Sequence, residues 1–123
     1  MFLKLYQADV SLGSGIKWEK CNLNYNSALK LCKDFIERYK NENPVDLKKI
    51  QQYEYLISIF NTARNLCATF YAIDASMGSF VVAFLFETKS SAYKFVAYCN
   101  SLTTPDSRIE ALVVPKAGTG KIK

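Results

Sequence analysis

The sequence predicts an α+β fold in which three helices pack on a mainly antiparallel sheet of about five strands. Residues 68–115 read as strand, turn, strand, helix and strand, with the hydrophobic period changing at each step. Residues 27–67 instead have the apolar period of helices. The 123-residue chain is half hydrophobic, which predicts one domain over residues 1–115 and a flexible basic tail at 116–123.

The N-terminal region predicts two strands. Phe2–Ala8 alternates in the manner of a strand. Leu12–Gly15 is typical of a turn, because glycine accepts the positive φ that hairpins need. Ile16–Cys21 alternates apolar and charged residues, which indicates an edge strand.

The first predicted helix covers residues 27–40, with Asn24, Asn26 or Ser27 as its cap. Its apolar face contains Ala28, Leu29, Cys32, Phe35, Ile36 and Tyr39.

A second helix is predicted over residues 44–67, with Asn43 as the N-cap and Pro44 as the first helical residue. Such a helix would be about 36 Å long at 1.5 Å per residue. Its second half, residues 53–67, contains only Glu54 and Arg64 as charged residues. A helix so poor in charge is covered either by its own sheet or by a partner.

The remaining predicted elements are the strands Ala68–Ala75, Phe80–Phe86 and Ile109–Val114 and the helix Ser90–Ser101, capped by Thr88 or Ser90. The predicted order is ββααββαβ. It reduces to the ferredoxin-like order βαββαβ when the second strand is set aside and the two long helices are merged. Both faces of Phe80–Phe86 are apolar, so both need cover. Helices can cover one face, and the other needs either the long helix folded across it or a second subunit. Of these two, we expect a homodimer.

Composition argues against an enzyme. The chain has no histidine, the usual general base near neutral pH, and no serine in a nucleophile-elbow pattern. The cysteines are Cys21, Cys32, Cys67 and Cys99, and the absence of C-x-x-C spacing argues against a metal site. Because Cys32, Cys67 and Cys99 fall on or beside an apolar helical face, we expect buried free thiols, with two disulfides as the alternative. We expect no cofactor and no metal.

The location expected from the sequence is cytoplasmic. The longest apolar run is far shorter than the roughly 20 residues of a membrane helix. Lys4, Gln7 and Asp9 interrupt any apolar segment of a signal peptide.

The leading hypothesis is a non-enzymatic protein-interaction module that acts through apolar helix and sheet surfaces, such as a small viral or mobile-element modulator of host machinery. The predicted binding residues are Arg64, Tyr53, Phe60 and Trp18. Arg64 shares a helical stripe with Tyr53 and Phe60. It either pairs with a buried carboxylate, for which Asp34, Asp74 and Glu87 are candidates, or recognises an anionic ligand or partner.

Nucleic-acid binding is the alternative function, and binding of a small anionic ligand is a further one. The net charge is +5. The basic residues that would contact phosphates are Lys30, Lys33, Arg38, Lys40, Lys48, Lys49, Lys116, Lys121 and Lys123. However, the spacing of Lys30/Asp34, Lys33/Glu37 and Asp34/Arg38 is also typical of a solvated helix face.

Overall fold

The structure, a computed structural model, describes residues 5–12, 23–76, 79–102 and 109–114. These residues form an α+β fold with three helices and an antiparallel sheet of four strands. In chain order the elements are β1 (Tyr6–Leu12), α1 (Tyr25–Lys40), α2 (Leu47–Asn65), β2 (Thr69–Ser76), β3 (Ser79–Phe86), α3 (Lys89–Ser101) and β4 (Ile109–Val113).

The sheet has the strand order β2-β3-β1-β4, and each neighbouring pair is antiparallel. Phe84 of β3 lies opposite Ala8 of β1 and Phe70 of β2, so these three residues share a row and a face. A register shift between Phe70 and Ala72 gives β2 a bulge.

The core lies between one face of this sheet and the helices. The ring of Phe84 contacts Tyr25 of α1, Phe60 of α2 and Phe95 of α3. The corresponding ring-centroid distances are 6.2, 5.7 and 5.2 Å. Because one side chain of β3 touches all three helices, the helices cover the same face of the sheet.

The sequence-based prediction of α1 is confirmed. Asn24 is its N-cap, and its side-chain oxygen accepts hydrogen bonds from the backbone N–H groups of Asn26 and Ser27. The predicted apolar face is directed to the core. Ala28, Leu29, Cys32 and Ile36 are buried, and Phe35 and Tyr39 are partly buried against them.

Helix α2 begins later than predicted. Its N-cap is Asp46 rather than Asn43, because the Asp46 carboxylate accepts the backbone N–H of Lys49 at 3.2 Å. The helix therefore excludes Pro44 and ends at Asn65, giving 19 residues and a length of about 28 Å.

The charge-poor half of α2 is covered by this chain itself. Tyr53 stacks on Phe35 and Tyr39 of α1, with ring centroids 5.5 and 5.7 Å away. Phe60 packs on Phe70 of the sheet at 5.3 Å. The buried side chains of this half are Tyr53, Leu56, Ile59, Phe60 and Ala63. Of the two sources of cover expected from the sequence, the chain's own elements are the one observed.

The first strand is shifted relative to its prediction. The sequence predicts it over Phe2–Ala8, of which residues 2–4 lie outside the described residues, and the observed strand covers Tyr6–Leu12. It continues past Ala8 because Gln7 and Asp9 lie on the face away from the helices, where polar residues are tolerated. There Gln7 Nε2 donates to Asp9 Oδ1 at 2.8 Å. The predicted strand Ile16–Cys21 and the tail 116–123 lie outside the described residues. The later elements begin and end within one residue of their predicted limits.

The second face of β3 is partly buried within the single chain. Ala83 and Leu85 point away from the helices, yet they are only 5% and 6% exposed. At these two positions no second subunit is needed to cover the apolar strand. Leu112 of β4, on the same face, is 54% exposed.

We predict that Phe84→Ala lowers the free energy of unfolding by about 3–5 kcal/mol, because it removes the ring that contacts all three helices. Urea unfolding followed by circular dichroism measures the change. The matched control is Tyr93→Ala on the exposed side of α3, with an expected change within about 0.5 kcal/mol. Equal losses in the two variants would contradict this account of the core.

Candidate functional site

An exposed apolar surface lies where α1 is connected to α2. Helix α1 ends at Lys40, and Asn41 caps it by donating from Nδ2 to the Glu37 carbonyl oxygen at 3.0 Å. Between this cap and the Asp46 cap the chain exposes Pro44 and Val45, and Leu47 follows as the first residue of α2. We call Pro44, Val45 and Leu47 the connection patch.

The connection patch is unusually accessible for apolar side chains. Val45 is 44% exposed and Leu47 is 74% exposed. Ile50, one helical turn after Leu47, is buried, so Leu47 lies just beyond the edge of the core. An open depression of about 550 Å³ adjoins the patch and is lined by Glu42, Pro44, Val45, Asp46, Leu47 and Lys48.

The rim of the patch carries charges of both signs. Glu42, Asp46 and Lys48 line the depression. Lys49 is directed to α1, where its Nζ lies 5.1 Å from the centre of the Tyr39 ring. An apolar centre with a charged rim is the composition of protein-binding surfaces.

The basic residues predicted to contact phosphates lie exposed on α1 and at the start of α2. They are Lys30, Lys33, Arg38, Lys40, Lys48 and Lys49. Lys30 pairs with Asp34 at 3.1 Å. In the part of the chain that the structure describes, the pairs Lys33/Glu37 and Asp34/Arg38 are not within ion-pair distance. The tail lysines Lys116, Lys121 and Lys123 lie outside the described residues.

Arg64 is exposed at the end of α2 and is held by two amide side chains. Its guanidinium donates to Asn26 Oδ1 of α1 and to Asn61 Oδ1, both at 3.0 Å. Within the described ranges no carboxylate pairs with it. Asp34 pairs with Lys30 instead, and the side chain of Asp74 lies outside the description. Because a guanidinium has five N–H donors, donors remain that face solvent.

Tyr25 of α1 is partly buried, and Tyr53 of α2 is fully buried. Tyr25 donates its hydroxyl to the carbonyl oxygen of Ala68 at 2.7 Å. Burial raises the pKa of Tyr25, and the nearby charge of Arg64 opposes that rise. Burial also raises the pKa of Tyr53, and its neighbour Tyr39 adds to the effect.

The other predicted binding residues do not join Arg64 at a surface. Tyr53 and Phe60 are buried and serve the core, although they share the helical stripe of Arg64. Trp18 lies outside the described residues. The sequence-based prediction did not single out Val45 and Leu47, because it placed both inside a helix that begins at Pro44. The signal that could have corrected it is Asp46: as the N-cap, it leaves Val45 in the connection and makes Leu47 the first helical residue.

The described cysteines are free thiols in two different environments. Cys32 and Cys99 are buried, as expected, and burial raises the pKa of Cys99 to about 12, which keeps its thiol protonated. Cys67 is exposed, so the expectation that it is buried is wrong. The reason is that α2 ends at Asn65 and Cys67 adopts a left-handed φ of 60° beyond the helix.

The described residues were also considered for metal-binding clusters and membrane-spanning helices. Residues 5–12, 23–76, 79–102 and 109–114 contain no group of three or more potential metal-ligating side chains. Across the same residues, no helix has the length and apolar character needed to cross a membrane.

No protein family matches the chain, and no curated protein or solved structure shows significant similarity to it.

We predict that a thiol-alkylating reagent at neutral pH modifies Cys67 quickly and spares Cys32 and Cys99 until the chain unfolds. Thiolate is the reactive form, and of the three cysteines that the structure describes, Cys32 and Cys99 are buried. Peptide mapping by mass spectrometry, with and without urea, measures the modification. Labelling of Cys99 as fast as that of Cys67 in the native protein would contradict the buried position of the Cys99 side chain.

Proposed function

We propose that this chain is a non-enzymatic protein-interaction module that binds through the connection patch. The observation that supports the proposal most is the 74% exposure of Leu47 beside Val45 and Pro44. Contiguous exposed apolar residues with a charged rim mark binding surfaces more often than isolated ones do. Burying one such side chain contributes about 1.5–3 kcal/mol.

Two further features favour binding over catalysis. The sequence has no histidine, and the raised pKa of Cys99 keeps that thiol from acting as a nucleophile. The occupant of the patch is a second copy of this chain, a different protein, or each in turn. We propose a cytoplasmic location for this encounter.

We also propose that the fold is a variant of the ferredoxin-like arrangement. Strands β1 and β2 are both antiparallel to β3, which lies between them, so they run parallel to each other. This is a split βαβ relation, with α1 and α2 together forming the crossover. A fold of this kind does not by itself select a function.

We predict that Leu47→Asp weakens binding at the connection patch by tenfold or more, because a charged group replaces an apolar one at the interface. Asp at the start of a helix favours the helix dipole, so the fold is preserved. Sedimentation equilibrium at tens of micromolar measures self-association. Quantitative capture from native host cells measures other protein partners.

Tyr93→Asp is the matched control, since it introduces the same charge at an exposed ring on α3. The proposal requires that this variant behave like the wild type. A wild type that is monomeric at tens of micromolar, together with unchanged capture by Leu47→Asp, would contradict the proposal.

Polyanion binding is a second candidate function, supported by the exposed cations of α1. Lys33 and Lys40 lie seven residues apart on one face of the helix. Neither forms an ion pair with a described carboxylate. Arg64, which also lacks a described carboxylate partner, supports the narrower alternative of a small anionic ligand.

For polyanion binding, we expect affinity for an oligonucleotide to fall steeply with salt. The variant Lys33→Glu/Lys40→Glu is expected to reduce the salt slope by about 2, because each phosphate contact contributes about 1. Gel shifts over a salt series measure it, with Lys89→Glu/Lys94→Glu on α3 as the control. No shift at micromolar protein contradicts this function. Thermal stabilisation by nucleotides that is lost in Arg64→Ala would favour the small-anion alternative.

A further inference from the structure

At the edge of β4 that faces away from β1, a side chain forms hydrogen bonds with the backbone of Ala111. Among the described residues, β4 pairs only with β1 and forms one end of the sheet. Asn100, near the end of α3, reaches this edge. Its Nδ2 donates to the Ala111 carbonyl oxygen and its Oδ1 accepts the Ala111 N–H, both at 3.0 Å.

The strand register explains why these two groups of Ala111 are available. The Val114 N–H donates to the Gln7 carbonyl oxygen at 2.8 Å, which makes Gln7 and Val114 a hydrogen-bonded pair. Hydrogen-bonded pairs alternate along an antiparallel ladder. The pair Val10 and Ala111, three residues along, is therefore a pair without mutual hydrogen bonds. Both backbone groups of Ala111 consequently point outwards.

The carboxamide of Asn100 has the donor and acceptor that the next strand would offer. In an antiparallel ladder, a residue of that strand would present one N–H and one C=O to Ala111. Asn100 presents Nδ2–H and Oδ1 to the same two groups. It therefore occupies the position that a strand of another molecule would use.

The segment that contains β4 has the composition of a strand that pairs with a second copy of itself. Residues 109–114 are Ile-Glu-Ala-Leu-Val-Val, with one charge and neither proline nor glycine. Leu112 is 54% exposed, and the β4 register with β1 has no bulge. An exposed, regular, apolar edge is a recognised site of intermolecular strand pairing.

The opposite edge of the sheet is protected differently. Strand β2 contains the bulge between Phe70 and Ala72, which interrupts the regular ladder. Just before it, the Ala68 carbonyl oxygen accepts the Tyr25 hydroxyl. The described part of β4 has no such irregularity, and Asn100 instead occupies the outward backbone groups of Ala111.

We infer that the carboxamide of Asn100 blocks strand-to-strand association of this protein through the edge of β4. Asn100 is a positioning residue that acts on the backbone of Ala111. This inference is independent of the connection patch, which lies on a different part of the chain.

The test compares Asn100→Ala with the wild type. Amide hydrogen exchange at Ala111 is expected to become about tenfold faster, since the N–H loses its acceptor. Exchange at Leu112, whose N–H faces β1, is expected to stay unchanged. Sedimentation velocity over a concentration series is expected to detect species larger than those of the wild type. Ser101→Ala, at the next residue of α3, is the control and is expected to match the wild type.

A second variant separates edge pairing from unfolding. Adding Leu112→Lys to Asn100→Ala places a charge on the exposed edge and is expected to restore the wild-type mass distribution. Large species that persist in this double variant would overturn the inference, because they would arise from unfolding. An Asn100→Ala protein with the mass distribution of the wild type would also overturn it.

Discussion

The packing of Tyr25 against the sheet is the interaction on which the rest of the structure depends. Its ring stacks on Phe84 with an interplanar angle of 12°, and its hydroxyl donates to Ala68, 43 residues away in the sequence. This contact joins the start of α1 to the start of β2. Helix α2 lies between these points in the chain, and its Phe60 packs between Tyr25 and Phe70 of the sheet, with ring centroids 6.4 and 5.3 Å away.

The sequence predicts an element well where a single local signal acts. Thr88 caps α3, and the apolar run of β3 has no competing assignment. At α2, two capping residues compete, and the interaction of Asp46 with the Lys49 N–H decides the outcome. At β1, Asp9 interrupts the apolar run of the sequence, yet it lies within the strand. It is accommodated because the sheet has a face away from the helices, which a local pattern does not reveal.

The candidate site was harder to predict, because a helical stripe does not indicate where the core ends. Tyr53, Phe60 and Arg64 share a stripe, but the first two are buried and Arg64 is exposed one turn later. The two asparagines that hold Arg64 come from α1 and α2, so their convergence depends on tertiary packing. Leu47 is exposed for a similar reason, since the core begins only at Ile50.

Two tyrosines, the partly buried Tyr25 and the buried Tyr53, make the folded state less stable at alkaline pH. The folded state raises the pKa of both Tyr25 and Tyr53, whereas an unfolded tyrosine loses its proton near pH 10. Above about pH 10 the folded chain therefore binds more protons than the unfolded chain, and hydroxide favours unfolding. Below that pH the contribution of the two phenols is complete. Tyr25 joins α1 to the sheet and Tyr53 joins α1 to α2, so deprotonation acts on the contacts that hold the helices together.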